Sequence, residues 1–186
     1  MEEKKTNNRI ILWDNYKGIL ILSVVVGHFA QRIGESETMR VIYILTYLFH
    51  IPMFMLVSGM FSGRAITKSR GWRDVLDCSA GCLLLSLALK ALIFIFNRNI
   101  PISFAIERTA AWYLTALAFY YPVTFLLKGR RTSVVLAAAV ILGILIGFVP
   151  VGYQWNISCA FVMFPFFFAG TILNPESLGR KTRLPV

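Results

Sequence analysis

The sequence predicts an all-α integral membrane protein of about six transmembrane helices, with both termini in the cytoplasm. Three observations carry that expectation. Of 186 residues, 57% are hydrophobic and 15% are charged, against roughly 25% charged in an ordinary soluble domain. The apolar residues fall in blocks long enough to cross a hydrocarbon layer of ~30 Å at ~1.5 Å per helical residue. The basic residues, finally, are distributed very unevenly between alternate connections: thirteen on one set, four on the other.

Taken in order, the apolar blocks run over about 16–33, 41–62, 75–96, 110–127, 133–151 and 155–173. None shows the period-two alternation of a membrane barrel, so each is read as a helix. Residues 1–173 are expected to form a single membrane domain, and 174–186 a short, polar cytoplasmic tail. One set of connections carries Lys4, Lys5 and Arg9, then Arg64, Lys68, Arg70 and Arg73. It continues with Lys128, Arg130 and Arg131, and ends with Arg180, Lys181 and Arg183. The other set carries Arg32, Arg40, Arg98 and Arg108. The positive-inside rule places the first set in the cytoplasm, and an even number of crossings brings both ends there. The net charge of +10 is therefore mostly topological. The expected partner is a lipid bilayer and not nucleic acid.

Three cysteines, Cys78, Cys82 and Cys159, give no disulfide framework. No His or acidic residue completes a metal site with them, so no metal is expected. They are read as packing residues.

Ionisable groups at membrane depth cost several kcal/mol and are functional candidates by default. Both histidines of the chain fall there: His28 near the outer end of the first helix and His50 in the outer half of the second. At ~100° per residue, Lys17 and His28 lie within ~20° of one another around the first helix, and Asp14 within ~40° of His28. Such a stripe belongs against a bundle interior or a wet cavity. It rises ~16 Å from Lys17 to His28. Burial disfavours imidazolium, leaving His28 neutral and able to act as general base towards a hydroxyl. Lys17 can stay charged beside Asp14, one turn away. Read alone, that pair is equally an interfacial ion pair, and either histidine a hydrogen-bonded structural group. The segment Gly63–Arg73, with Arg64, Lys68, Arg70 and Arg73, is either plain positive-inside bias or a docking site for a phosphorylated ligand, to which Arg forks are suited.

At this point the residues resemble the acyltransferase 3 family, in particular its fucose 4-O-acetylase-like branch. Trp13-Asp14-Asn15-Tyr16-Lys17-Gly18-Ile19, leading to Val25-Val26-Gly27-His28, is similar to the family's opening signature, in which a basic residue precedes a catalytic histidine. That residue is usually Arg; Lys17 departs from the pattern but keeps the charge. Phe49-His50-Ile51-Pro52-Met53-Phe54 through Ser58-Gly59 resembles the second-helix segment, and Arg70-Gly71-Trp72-Arg73 the cytoplasmic Arg-x-x-Arg motif. Trp112-Tyr113-Leu114 and Pro165–Gly170 match later landmarks.

The resemblance implies a membrane O-acyltransferase of the cell inner membrane. Its donor would be a cytosolic acyl-CoA, acetyl-CoA first, used as a substrate with no bound cofactor. Its acceptor would be a hydroxyl of a cell-envelope carbohydrate. His28, Lys17 and Asp14 would be the catalytic group; Arg70, Arg73 and Lys17 would hold acyl-CoA; His50, Ser58, Trp112 and Tyr113 would line the substrate cavity. Members of the family carry more spans than the six read here. The chain is therefore expected to be the N-terminal part of such an enzyme, completed by further helices or by a second chain. Without the resemblance, the same buried charges suit a small transporter component, or a non-catalytic remnant in which they only hold a bundle together.

Overall fold

Helices satisfy their backbone polar groups segment by segment, which suits a chain this apolar. The computed structural model describes residues 11–33, 36–68, 72–96, 111–149 and 157–173. These form six α-helices: α1 (Ile11–Ile33), α2 (Glu37–Lys68), α3 (Trp72–Phe96), α4 (Ala111–Leu126), α5 (Thr132–Gly147) and α6 (Ile157–Ile172). There is no strand among the described residues.

Among the described residues, two helical stretches are long and apolar enough to cross a membrane, Glu37–Gly63 of α2 and all of α3. The expected six spans thus appear as six helices of unequal standing, for physical reasons. α1 has 23 residues, but Asp14, Lys17 and Arg32 interrupt its apolar run. α5 and α6 are strongly apolar but have 16 residues each, which covers ~24 Å of a ~30 Å core. The flanking positions 97–110 and 150–156, and the tail from 174, lie outside the described residues. Pro52, Pro122 and Pro165 sit inside α2, α4 and α6, a placement that neighbouring helices make tolerable in membrane bundles. Large apolar side chains remain exposed along whole helices, among them Leu84 at 67% and Phe96 at 82%.

The chain divides into two compact units, Met1–Phe54 with Leu173–Val186, and Met55–Ile172. In the first, α1 meets the start of α2 at Gly27. A Cβ there would lie 3.2 Å from the Tyr47 ring and 3.3 Å from the Thr46 methyl. The missing side chain lets the helices come together.

In the second unit, α3 packs on α4 and α5 on α6. Small and hydroxyl-bearing residues set the close approaches. Gly59 and Gly63 of α2, four residues apart, lie against α6: a Cβ on Gly59 would overlap the Phe167 carbonyl, and one on Gly63 would come within 2.6 Å of the Thr171 carbonyl. Gly170 meets the Leu56 carbonyl in the same way from the other side. This is the small-xxx-small packing by which apolar helices associate without help from water. Between α3 and α4, Ser79 donates to the Ala118 carbonyl, Ser86 and Thr115 share a hydrogen bond of 2.8 Å, and Lys90 donates to Thr115 at 3.4 Å. Met55, Ile66, Leu117, Tyr120 and Phe167 form the buried centre, with Cys82 packed against it.

Candidate active site

The first unit brings both histidines of the chain onto one tyrosine. Gly27 admits α2 to the face of α1 that carries His28, and Tyr47 of α2 places its hydroxyl 3.3 Å from His28 Nδ1. The two rings meet edge to face at 6.0 Å and 83°. One turn further along α2, His50 presents its ring to the same Tyr47 at 4.8 Å and 76°. Tyr43, one turn earlier, packs on Tyr47 from behind at 4.3 Å. Tyr47 is therefore held between three rings.

The histidines differ in setting. His50 is buried, 4% exposed, and its Nδ1 bonds the Thr46 carbonyl within its own helix. A carbonyl only accepts, so Nδ1 carries the proton there, and in the neutral ring Nε2 keeps its lone pair. His28 is exposed, and its bond to Tyr47 fits either direction. If Nδ1–H donates to the phenol oxygen, Nε2 is left as a base. Asp14 and Lys17 lie one turn apart on α1 and are half-buried.

Three further residues predicted from the sequence meet in the second unit. The Ser58 and Tyr113 hydroxyls, 55 positions apart in the chain, hydrogen-bond one another. Trp112 stands edge to face with Tyr113 at 6.3 Å and 85°. A parallel pair, Ser62 and Tyr121, bonds at 3.0 Å. Arg73 is exposed on the first turn of α3; its expected partner Arg70 lies outside the described residues.

Sequence reasoning passed over Tyr47 and the Gly59/Gly63 pair. Tyr47 lies three residues before His50, which puts the two side chains on one helix face, and that spacing was its only signal. The glycines carry a readable one, G-x-x-x-G inside an apolar stretch.

The chain is similar to two curated proteins, each called nodulation protein NolL. It is 36% identical to that of Sinorhizobium fredii (strain NBRC 101917 / NGR234) over 91 residues, which cover 47% of this chain and 25% of the relative. It is 39% identical to that of Mesorhizobium japonicum (strain LMG 29417 / CECT 9101 / MAFF 303099) over 67 residues, 34% of this chain and 18% of the relative. The match thus spans a quarter or less of each relative's length. No family model and no solved structure matches the chain.

Proposed function

We propose that the chain is a membrane O-acyltransferase, or the N-terminal part of one, carrying an acetyl group from cytosolic acetyl-CoA to a hydroxyl of a cell-envelope carbohydrate. The observation that carries this reading is the convergence of His28 and His50 on Tyr47. The resemblance of the motifs around these residues to the acyltransferase 3 family supports it, as does the similarity to two nodulation proteins. The apolar side chains exposed along whole helices support the bilayer as the surroundings, since soluble monomers rarely leave such patches open.

In this mechanism His28 donates Nδ1–H to the Tyr47 oxygen and keeps its Nε2 lone pair for the acceptor. The acceptor hydroxyl attacks the thioester carbonyl carbon while Nε2 takes its proton; the C–S bond then breaks and CoA leaves as the thiol, receiving that proton. Fixing base, acceptor and thioester in one place supplies much of the acceleration. Lys17, with Asp14 beside it, supports the donor from below. Arg73 and Arg70 hold its phosphates at the cytoplasmic edge, with both termini of the chain on that side of the inner membrane. Ser58, Tyr113 and Trp112 line the acceptor cavity.

Membranes bearing the chain, supplied with labelled acetyl-CoA, test this directly. Label should pass to a carbohydrate fraction and be released by mild base, as an O-ester is. Absence of transfer together with uptake of a labelled solute would favour a transporter.

A further inference from the structure

The turn between α4 and α5 is tight. Gly129 takes φ +85°, a left-handed conformation that glycine adopts without steric cost, and Arg130 N–H bonds the Leu127 carbonyl at 3.1 Å. The two helices leave this turn with different partners, α4 on α3 and α5 on α6. They splay, and α6 floors the space between them with Ala160, Phe161 and Phe164. The result is a groove of about 810 Å³ running from Arg130 at the turn to Trp112 at the far end of α4, within the ~300–1,000 Å³ usual for ligand sites.

Its walls are apolar along nearly their whole length, with Phe119, Val123 and Leu142 among them, and among the described residues Arg130 is its one charged lining residue. Lys128 and Arg131 share that turn. A second hollow, about 610 Å³ along α5 and α6, has only apolar lining residues among the described residues. The first groove therefore differs from an ordinary lipid-facing furrow in one respect: it is greasy along its length and cationic at one end. From Trp112 to Leu126 it extends ~21 Å along α4, more than the ~15 Å of one leaflet's hydrocarbon.

We propose that this groove is a binding site for an anionic phospholipid of the cytoplasmic leaflet, the phosphate on Arg130 and an acyl chain along α4 towards Trp112. The proposal rests on the membrane reading above. The apolar walls take the chain, and the cation at the mouth selects the headgroup. All of the groove's lining residues belong to the second unit.

Fluorescence quenching tests it in the full chain, with Trp13, Trp72 and Trp155 replaced by Phe so that Trp112 reports. The chain is reconstituted in phosphatidylcholine vesicles containing tail-brominated phosphatidylglycerol or tail-brominated phosphatidylcholine. The brominated phosphatidylglycerol should quench Trp112 at about fivefold lower mole fraction, the factor expected of roughly 1 kcal/mol per cation near an anionic lipid. Arg130→Gln should erase that preference and Arg130→Lys should retain it, while Ala138→Phe, filling the groove, should reduce quenching by both lipids. Equal quenching by the two lipids in the unaltered groove overturns the proposal in favour of bulk lipid. No quenching by either, from a chain that floats with the vesicles, overturns it in favour of a second copy or another protein segment in the groove. A chain that does not float with vesicles overturns the membrane reading itself, and this inference with it.

Discussion

The hydroxyl of Tyr47 lies 3.3 Å from Nδ1 of His28, so the second helix supplies the group that orients a histidine of the first. An imidazole held at one nitrogen presents the other in a defined direction. A general base needs that arrangement, and the third group of a catalytic triad serves the same end.

Removing only that hydroxyl should therefore be informative. Tyr47→Phe keeps the ring contacts to His28 and His50 and loses about 1 kcal/mol of hydrogen bonding. The maximal rate of acetyl transfer should fall roughly fivefold, with little change in KM for acetyl-CoA. Steady-state kinetics on reconstituted protein check this; an unchanged maximal rate would leave Tyr47 a packing residue.

The crossing of α2 and α6 depends on Gly59. In Gly59→Ala the new methyl would overlap the Phe167 carbonyl, and the helices must part at a cost of about 1–3 kcal/mol. Gly81→Ala, where nothing lies within 4 Å, is the matched control. Thermal unfolding in detergent should show a lower midpoint for the first variant and none for the second. Equal midpoints would mean that the helices do not approach so closely.

Ser58 and Tyr113 join α2 to α4 by one hydrogen bond. Inter-helical bonds of this kind in membrane proteins average ~0.6 kcal/mol and reach ~1.7. A double-mutant cycle of Ser58→Ala and Tyr113→Phe should return a coupling energy in that range, read from denaturation in mixed micelles. Strict additivity of the two changes would contradict the pairing.

The turn at Gly129 lies among Lys128, Arg130 and Arg131 and should face the cytoplasm. With the three native cysteines replaced, Gly129→Cys should react with a membrane-impermeant maleimide in inverted vesicles and be protected in intact cells. Labelling of intact cells would reverse the topology.

The helices were legible because apolar blocks of this length have few other uses, and two histidines in such blocks stand out by cost alone. Their common partner was not legible. Tyr47 sits in a run with Tyr43, Phe49 and other aromatics, and apart from its three-residue spacing to His50 nothing in its local letters separates a site residue from packing. That Ser58 and Tyr113 would meet likewise depends on how α2 and α4 cross, which no sequence spacing encodes. Gly59 and Gly63 were readable in principle, since their four-residue interval inside an apolar stretch is itself a packing signal. The stripe of Asp14, Lys17 and His28 followed from helical periodicity, and α1 carries all three. Of the arginine pair, Arg73 lies among the described residues and Arg70 does not.

The most direct test compares transfer of labelled acetyl from acetyl-CoA by membranes bearing the native chain, His28→Ala and His50→Ala at matched expression. With His28 as the base, its variant should lose about 10²- to 10⁴-fold in rate, and His50→Ala, which removes a ring packed against Tyr47 and its bond to the Thr46 carbonyl, should lose less. Transfer by His28→Ala at the native rate would contradict the account.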